Sequence, residues 1–184
     1  MNLRGKYLCS LASDARPQLS MIDTRFSTAL QIVISVAVNE EANLRTTSQS
    51  LAQGLDTSAS FVRKLLLPLN ESGIIATAQG GKGGISLARP RDQILLSQIY
   101  AAVTGDKKIW ATRHDIPHEG LVGENIGDLS EFLCDRAEQA VVDMLGSVTI
   151  GDSVAELRRL DAQKSGIDPQ PANASLVRDR HAAE

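Results

Sequence analysis

The chain has 184 residues, 42% hydrophobic but only 3% aromatic, which limits it to one domain, with or without an appendage, around an aliphatic core. The net charge of −3 is unevenly distributed: residues 21–105 hold seven Lys/Arg and six Asp/Glu, whereas residues 106–184 hold nine Lys/Arg and fifteen Asp/Glu. Because the acidic residues are concentrated in the C-terminal half, the charge does not exclude a nucleic-acid partner for the N-terminal half. Two cysteines exclude a disulfide scaffold, and no apolar run reaches the roughly 20 residues of a membrane span, so we expect a cytoplasmic protein without membrane association.

The two ends of the chain are predicted to be disordered. In residues 1–20, Arg4 and Lys6 precede an apolar patch that is too short and too polar for the core of a signal sequence. Residues 163–184 are rich in Pro, Asn, Ala and charge, a composition that does not support a packed core. We interpret the first segment as an extension and the last as a tail.

Three helices are predicted after the extension. Residues 23–41 carry apolar side chains at spacings of three and four, which indicates a buried helix. Residues 46–55 read as a short second helix, and residues 56–73 as a third in which Pro68 should cause a bend or an early end. Two short helices joined by a short turn form a helix-turn-helix, and the third helix is the candidate recognition helix.

A glycine-rich hairpin follows the third helix. Residues 74–79 are β-branched and extended, residues 80–84 must turn, and residues 85–89 alternate apolar with polar. A phosphate loop would need Ser or Thr after Lys82 and a helix after the glycines, neither of which is present. A plain tight turn stays open as an alternative. Because the hairpin follows a helix-turn-helix at once, we interpret it as the wing of a winged helix.

The C-terminal half is predicted to supply a dimer interface. Residues 94–105 form a helix behind the wing and close a DNA-binding domain over 21–105. Residues 106–124 lack periodicity and read as a linker or sensor loop. The long amphipathic helix over 125–148 has more apolar surface than one small domain can cover, so we expect a homodimer through these residues. The whole dimerisation region extends over 125–162.

The fold class predicted from these elements is mainly α (α+β): a winged helix-turn-helix domain with a two-stranded wing, plus a long C-terminal dimerisation helix. Eleven residues are candidate DNA contacts, from the recognition helix, the wing and the helix starts that can face phosphate: Arg25, Thr46, Thr47, Ser58, Ser60, Phe61, Arg63, Lys64, Gln79, Gly81 and Lys82. The first turns of a recognition helix enter the major groove, where Arg63 and Lys64 can read guanine or bind phosphate. Glycines let a wing tip approach the duplex, where Lys82 can reach phosphate or the minor groove.

Each of these assignments has a plainer alternative. Arg63 and Lys64 can be ordinary solvated charges, and Phe61 can belong to the core. The only interior thiol, Cys134, is either a packing residue or a sensor of oxidants and electrophiles. Trp110 either lines an effector pocket or plugs the domain junction, and we expect the plug. His114 and His118 are read as exposed loop residues, because Pro117 lies between them, and no metal site is predicted.

One stretch carries a family likeness. The run SASFVRKLLLPLNESGIIATAQGGKGGISLARPRDQILLSQIYAAV, residues 58–103, resembles the Rrf-two family of bacterial winged-helix regulators, and the likeness extends over roughly residues 21–155. The resemblance implies a DNA-binding regulator, in particular a repressor acting as a homodimer on a palindromic operator, and not an enzyme. Family members that carry an iron–sulfur cluster have three cysteines between the fourth helix and the dimer helix. Residues 105–132 contain none, and Leu121 stands at one family cysteine position, so no cofactor is expected.

The runner-up hypothesis is a winged helix that binds a protein partner through its long helix and has weak or no affinity for DNA. The near-neutral charge of residues 21–105 keeps this alternative open. No catalytic set of Ser, His and Asp or of Cys and His can be assembled from the sequence.

Overall fold

The computed structural model describes residues 23–78, 80, 83–105, 107–110 and 119–165. Within them the elements are α1 (Arg25–Glu41), α2 (Ser48–Gly54), α3 (Ala59–Glu71), β1 (Ile75–Thr77), β2 (Ile85–Leu87), a 3-10 turn (Arg91–Gln93), α4 (Leu96–Thr104), α5 (Gly120–Gly146) and α6 (Ile150–Lys164). The predicted fold class is confirmed: a mainly helical chain with a two-stranded wing and a long C-terminal helix. No helix of the described residues has both the length and the apolarity that crossing a bilayer requires.

Side-chain caps determine where the helices of the helix-turn-helix begin. The Thr47 hydroxyl accepts a hydrogen bond from the Ser50 backbone N–H at 3.0 Å at the start of α2. The Ser58 hydroxyl accepts one from the Phe61 N–H at 3.1 Å at the start of α3. Both bonds satisfy backbone donors that the first helical turn leaves without a partner.

Helix α3 continues through Pro68, so of the two expected effects, a bend or an early end, the early end is wrong. A proline inside a helix costs about 3 kcal/mol. Leu65, Leu66 and Leu69 are all buried, and burial of one such side chain stabilises by about 1.5–3 kcal/mol. The packing of these three leucines therefore offsets the proline, and the helix extends to Glu71.

The core is aliphatic, as the composition predicts. Its fully buried side chains come from α1, α3, α4, α6 and the residues around the wing: Ile32, Val33, Val36, Val62, Leu69, Ile74, Ile75, Ile94, Ile99, Ile150 and Val154. Phe26 and Tyr100 stack edge to face at 5.4 Å between ring centroids, beside this cluster. The cluster joins α6 to the winged helix, so the end of the chain packs on the domain that carries the wing.

The wing is a short antiparallel pair. Ile75 faces Leu87 and Thr77 faces Ile85 across the two strands. The Ala78 N–H donates to the Gly84 carbonyl at 2.9 Å and extends the pairing beyond β1. The hairpin predicted from the glycine-rich sequence is therefore present.

Two of the differences in helix boundaries change the predicted division of the chain. Helix α5 begins at Gly120 rather than at 125, so the predicted linker over 106–124 loses its last residues to a helix. Helix α6 extends to Lys164 and takes in the first residues of the predicted tail. The extension over residues 1–20 lies outside the described residues, as does the tail from residue 166 onward.

Candidate nucleic-acid interface

The first two turns of α3 present polar side chains on one exposed surface. Ser60, Arg63 and Lys64 are exposed, while Val62 and Leu65 point into the core. Residues three and four apart share a face of a helix, so Ser60 lies beside both cations. This is the surface that a recognition helix offers to base edges and phosphates.

A cleft of about 500 Å³ lies between α3, the wing and the loop before α2. Arg45 and Arg63 both line it, together with Asn70 and the wing backbone at Gly80 and Gly83. No carboxylate belongs to its lining within the part of the chain that the structure describes. Leu66, Leu67 and Ile85 form an apolar part of the lining, and the two arginines suit the phosphate backbone of a nucleic acid.

Thr46 does not have the role predicted for it. Its side chain is 2% exposed, and its hydroxyl accepts a hydrogen bond from Asn39 Nδ2 at 3.0 Å. A buried hydroxyl cannot reach a phosphate, so this threonine is a structural residue of the turn before α2. Thr47 is half-buried, and its hydroxyl is engaged in the cap of α2.

Three other predicted contacts have partners within the protein. Arg25 hydrogen-bonds Asp23 through Nε at 2.9 Å and Nη2 at 2.5 Å, and this pairing lowers the pKa of Asp23 to about 2. A phosphate would have to compete with that carboxylate. Phe61 is half-buried and packs against the core cluster, which supports the packing alternative. Ser58 is exposed and caps α3.

The wing tip is described only in part, because Gln79, Gly81 and Lys82 lie outside the described residues. Gly80 has a φ of 100°, a left-handed conformation that favours glycine. Its carbonyl accepts a hydrogen bond from the Gly83 N–H at 2.9 Å, which closes the turn.

Arg45 is a residue of this surface that sequence reasoning missed. Its Nε–H donates to the Gly83 carbonyl at 2.5 Å, so a side chain before α2 reaches the wing. One signal was available: between Glu41 and Arg63 the sequence has no other basic residue.

Cys134 lies beneath a segment that is bonded to α5. Its thiol is 3% exposed, and its Sγ is 3.7 Å from the Trp110 carbonyl oxygen. Lys108 Nζ is 2.5 Å from Asp135 and 3.3 Å from Glu138, and these carboxylates raise the pKa of Lys108 above its ordinary value. The segment 107–110 therefore covers the thiol.

Trp110 itself is 41% exposed, which corrects the expectation of a plug at the domain junction. Its backbone, rather than its ring, makes the contact with Cys134. His114 and His118 lie outside the described residues.

The winged helix, its capped recognition helix and the cleft beside the wing define a DNA-binding transcription regulator. The Rrf2 (Rrf-two) family model, described as an iron-dependent transcriptional regulator, matches residues 22–156. The chain belongs to this family, whose members are regulators rather than enzymes, and the sequence resemblance is confirmed.

Individual relatives agree with this assignment. The Bacillus subtilis protein YwnA is 24% identical over 74% of this chain and 99% of its own length. The HTH-type transcriptional regulator IscR of Cronobacter sakazakii is 28% identical over 72% of this chain and 79% of its own. The oxidized form of CymR from Staphylococcus aureus has a TM-score of 0.55 at 25% identity, over 73% of this chain and 95% of that one.

The cysteines of this chain do not fit the iron–sulfur cluster of the cluster-carrying family members. A cluster held by three cysteines needs more thiols than Cys9 and Cys134 provide in one protomer. Among the described residues, no group of three His, Cys, Asp or Glu side chains is placed to hold a metal ion.

Proposed function

We propose that the protein is a cytoplasmic repressor that binds a palindromic operator as a homodimer without an iron–sulfur cluster. The observation that carries the DNA-binding part is the exposed set Ser60, Arg63 and Lys64 beside the cleft, whose described lining holds two arginines and no carboxylate. In this proposal, the first turns of α3 enter the major groove and the wing follows the adjacent backbone.

The apolar surface of α5 supports the homodimer. Of its 27 residues only Cys134 and Leu145 are buried. The large apolar side chains that α5 leaves exposed are Leu121 at 83%, Val122 at 69%, Leu129 at 50%, Phe132 at 55%, Leu133 at 49%, Val142 at 39% and Met144 at 57%. An apolar surface of this extent marks an interaction site, and a second copy of α5 covers it by two-fold symmetry.

The proposed signal acts at Cys134. Because Sγ is buried and lies 3.7 Å from the Trp110 carbonyl oxygen, a group added to it would press against the segment 107–110, which hydrogen-bonds α5 through Lys108 and Ile109. Modification would therefore displace this segment from the helix that we assign to dimerisation. The related CymR of Staphylococcus aureus has a solved structure of an oxidized form, which supports the proposal of a redox signal.

DNA binding is tested with the DNA upstream of the protein's own gene, by gel shift and by anisotropy over a salt series. Arg63→Ala should weaken binding by about 1–3 kcal/mol and relax base preference at one position. Lys82→Ala should weaken binding to all sequences and reduce the salt slope by about 1.

Lys164→Ala is the matched control, since it removes one exposed cation at the end of α6, outside the wing, the recognition helix and α5. Absence of salt-dependent binding to any DNA would contradict the proposal and favour the protein-interaction alternative. If Lys82→Ala changed base preference and left the salt slope intact, the assignment of the wing would be wrong.

A further inference from the structure

We propose that Arg45 is a positioning residue that holds the wing at a fixed distance from the recognition helix. The inference rests on the proposed DNA-binding function, because a wing and a recognition helix have to fit one duplex together. It concerns a residue that neither the motif nor the family likeness indicates.

Two hydrogen bonds join the wing to the turn before α2. Arg45 Nε–H donates to the Gly83 carbonyl at 2.5 Å, and the Ile85 N–H donates to the Thr46 carbonyl at 2.9 Å. Gly83 and Ile85 are on the returning side of the hairpin, so both bonds hold the same limb of the wing.

The wing backbone also approaches this turn closely. A Cβ added at Gly84 would lie 3.1 Å from the Thr46 carbonyl oxygen and 3.6 Å from Arg45 Cγ. A contact at 3.1 Å is tighter than nine in ten that real Cβ atoms make, so a larger residue would push the wing and the turn apart by a few tenths of an ångström. The limb is therefore packed against the turn as well as hydrogen-bonded to it.

The turn before α2 is itself hydrogen-bonded to α1. Asn39 Nδ2 donates to the hydroxyl of the buried Thr46 at 3.0 Å, and the next residue, Thr47, caps α2. A continuous set of contacts therefore runs from α1 through Thr46 to Ile85. Arg45 adds the contact nearest to the tip, where a two-stranded hairpin has the least support of its own.

A matched pair of substitutions separates this role from direct contact with DNA. In Arg45→Gln the amide nitrogen occupies the place of Nε, so a donor is kept and the charge is lost. In Arg45→Met a methyl group occupies that place, so donor and charge are both lost. The two variants have the same charge, and any difference between them reports the hydrogen bond.

Amide hydrogen exchange in the free protein is the first measurement. In Arg45→Met we expect the Ile85 and Ala78 amides to exchange about tenfold faster, the factor that corresponds to loss of one hydrogen bond of about 1.4 kcal/mol. Arg45→Gln should restore most of their protection. The Leu96 amide, which donates to the Val148 carbonyl away from the wing, should be unchanged in both variants and reports intact folding.

Operator affinity is the second measurement. Both variants lose one charge and should show the same salt slope, but Arg45→Met should bind several-fold more weakly than Arg45→Gln. Equal exchange rates in the two variants would overturn the proposal, as would equal affinities despite different exchange. Because the exchange experiment needs no DNA, a failure of the proposed DNA binding is distinguished from a failure of Arg45 to hold the wing.

Discussion

Leu95 and Thr149 form an isolated antiparallel β-bridge between the start of α4 and the corner between α5 and α6. The Leu96 N–H donates to the Val148 carbonyl, and the Ile150 N–H donates to the Ile94 carbonyl, both at 2.9 Å. Ile94 and Ile150 are fully buried beside the bridge. The helix that we assign to dimerisation is thus joined in one register to the domain that carries the recognition helix, and in the proposed dimer we expect this joint to determine the spacing of the two recognition helices.

Thr149→Ala should weaken this joint. The Thr149 hydroxyl accepts a hydrogen bond from the Asp152 N–H at 3.0 Å at the start of α6. Loss of a threonine cap costs about 1 kcal/mol, and we expect the melting temperature to fall by about 2–4 °C. Calorimetry or thermal circular dichroism measures the change. Thr24→Ala is the matched control, because Thr24 is the N-cap of α1 and makes no side-chain cap bond there, so its loss should be nearly neutral.

The same cap predicts a dependence on pH. The hydroxyl and the backbone N–H of Thr149 both donate to the Asp152 carboxylate, and these bonds lower the pKa of Asp152. A carboxyl with a lowered folded-state pKa stabilises the fold above its unfolded pKa of about 4, and this contribution is lost as the pH falls through the folded pKa. Asp152→Asn cannot titrate, so wild type should exceed it in stability at neutral pH, and the gap should close in acid. A gap independent of pH would contradict this account.

Ser58→Ala should destabilise the recognition helix by about 1 kcal/mol, since the Ser58 hydroxyl caps α3 through the Phe61 N–H. Asn is an equally good cap, so Ser58→Asn should restore the unfolding free energy measured in denaturant. Operator affinity then decides between two roles. If Ser58→Asn binds as wild type does, Ser58 acts as a cap; weak binding by this stable variant would make the hydroxyl a DNA contact.

The sequence was sufficient for the fold because the local signals agree with it. Spacings of three and four marked the helices, Thr and Ser marked their starts, and the change of period after Gly73 marked the wing. The prediction was wrong where tertiary packing outweighs a local rule. Pro68 predicted an early end of α3, but the residue after it, Leu69, is buried in the core and the helix continues. The start of α5 at Gly120 was missed for a different reason: Glu119 makes no side-chain cap there, so no local signal marks the start of the helix.

The candidate site was predictable only in outline. Exposure of Ser60, Arg63 and Lys64 follows from the helical period once Val62 and Leu65 are placed inside. The burial of Thr46 could not be predicted, because its partner, Asn39, is on another helix and any hydroxyl before α2 satisfies the capping pattern. The contact of Arg45 with Gly83 joins residues far apart in the chain, and no spacing rule covers such a pair.

Leu133→Asp should convert the proposed dimer into monomers. Leu133 is exposed on α5, and a carboxylate at this position would be buried without a partner in a two-fold interface. Sedimentation equilibrium or light scattering measures the mass. Leu44→Asp is the control, because Leu44 is an exposed leucine in the loop before α2 and should leave the mass unchanged. A monomeric wild type, or a dimeric Leu133→Asp protein, would contradict the assignment of the interface.

Lys108→Met should expose Cys134 to reagents. Lys108 bonds to Asp135 and Glu138 and so holds the segment 107–110 over the thiol. Both proteins carry Cys9→Ser, so that Cys134 is the only thiol, and alkylation is followed by mass spectrometry. Cys134 should react several-fold faster in Lys108→Met than in the parent protein. High salt should also speed the reaction of the parent protein, because it screens exposed ion pairs. Lys107→Met makes the same change of charge one residue away and should leave the rate unchanged. Operator binding of the fully modified protein completes the test: the proposed sensor role requires altered affinity, and unchanged binding would leave Cys134 as a packing residue.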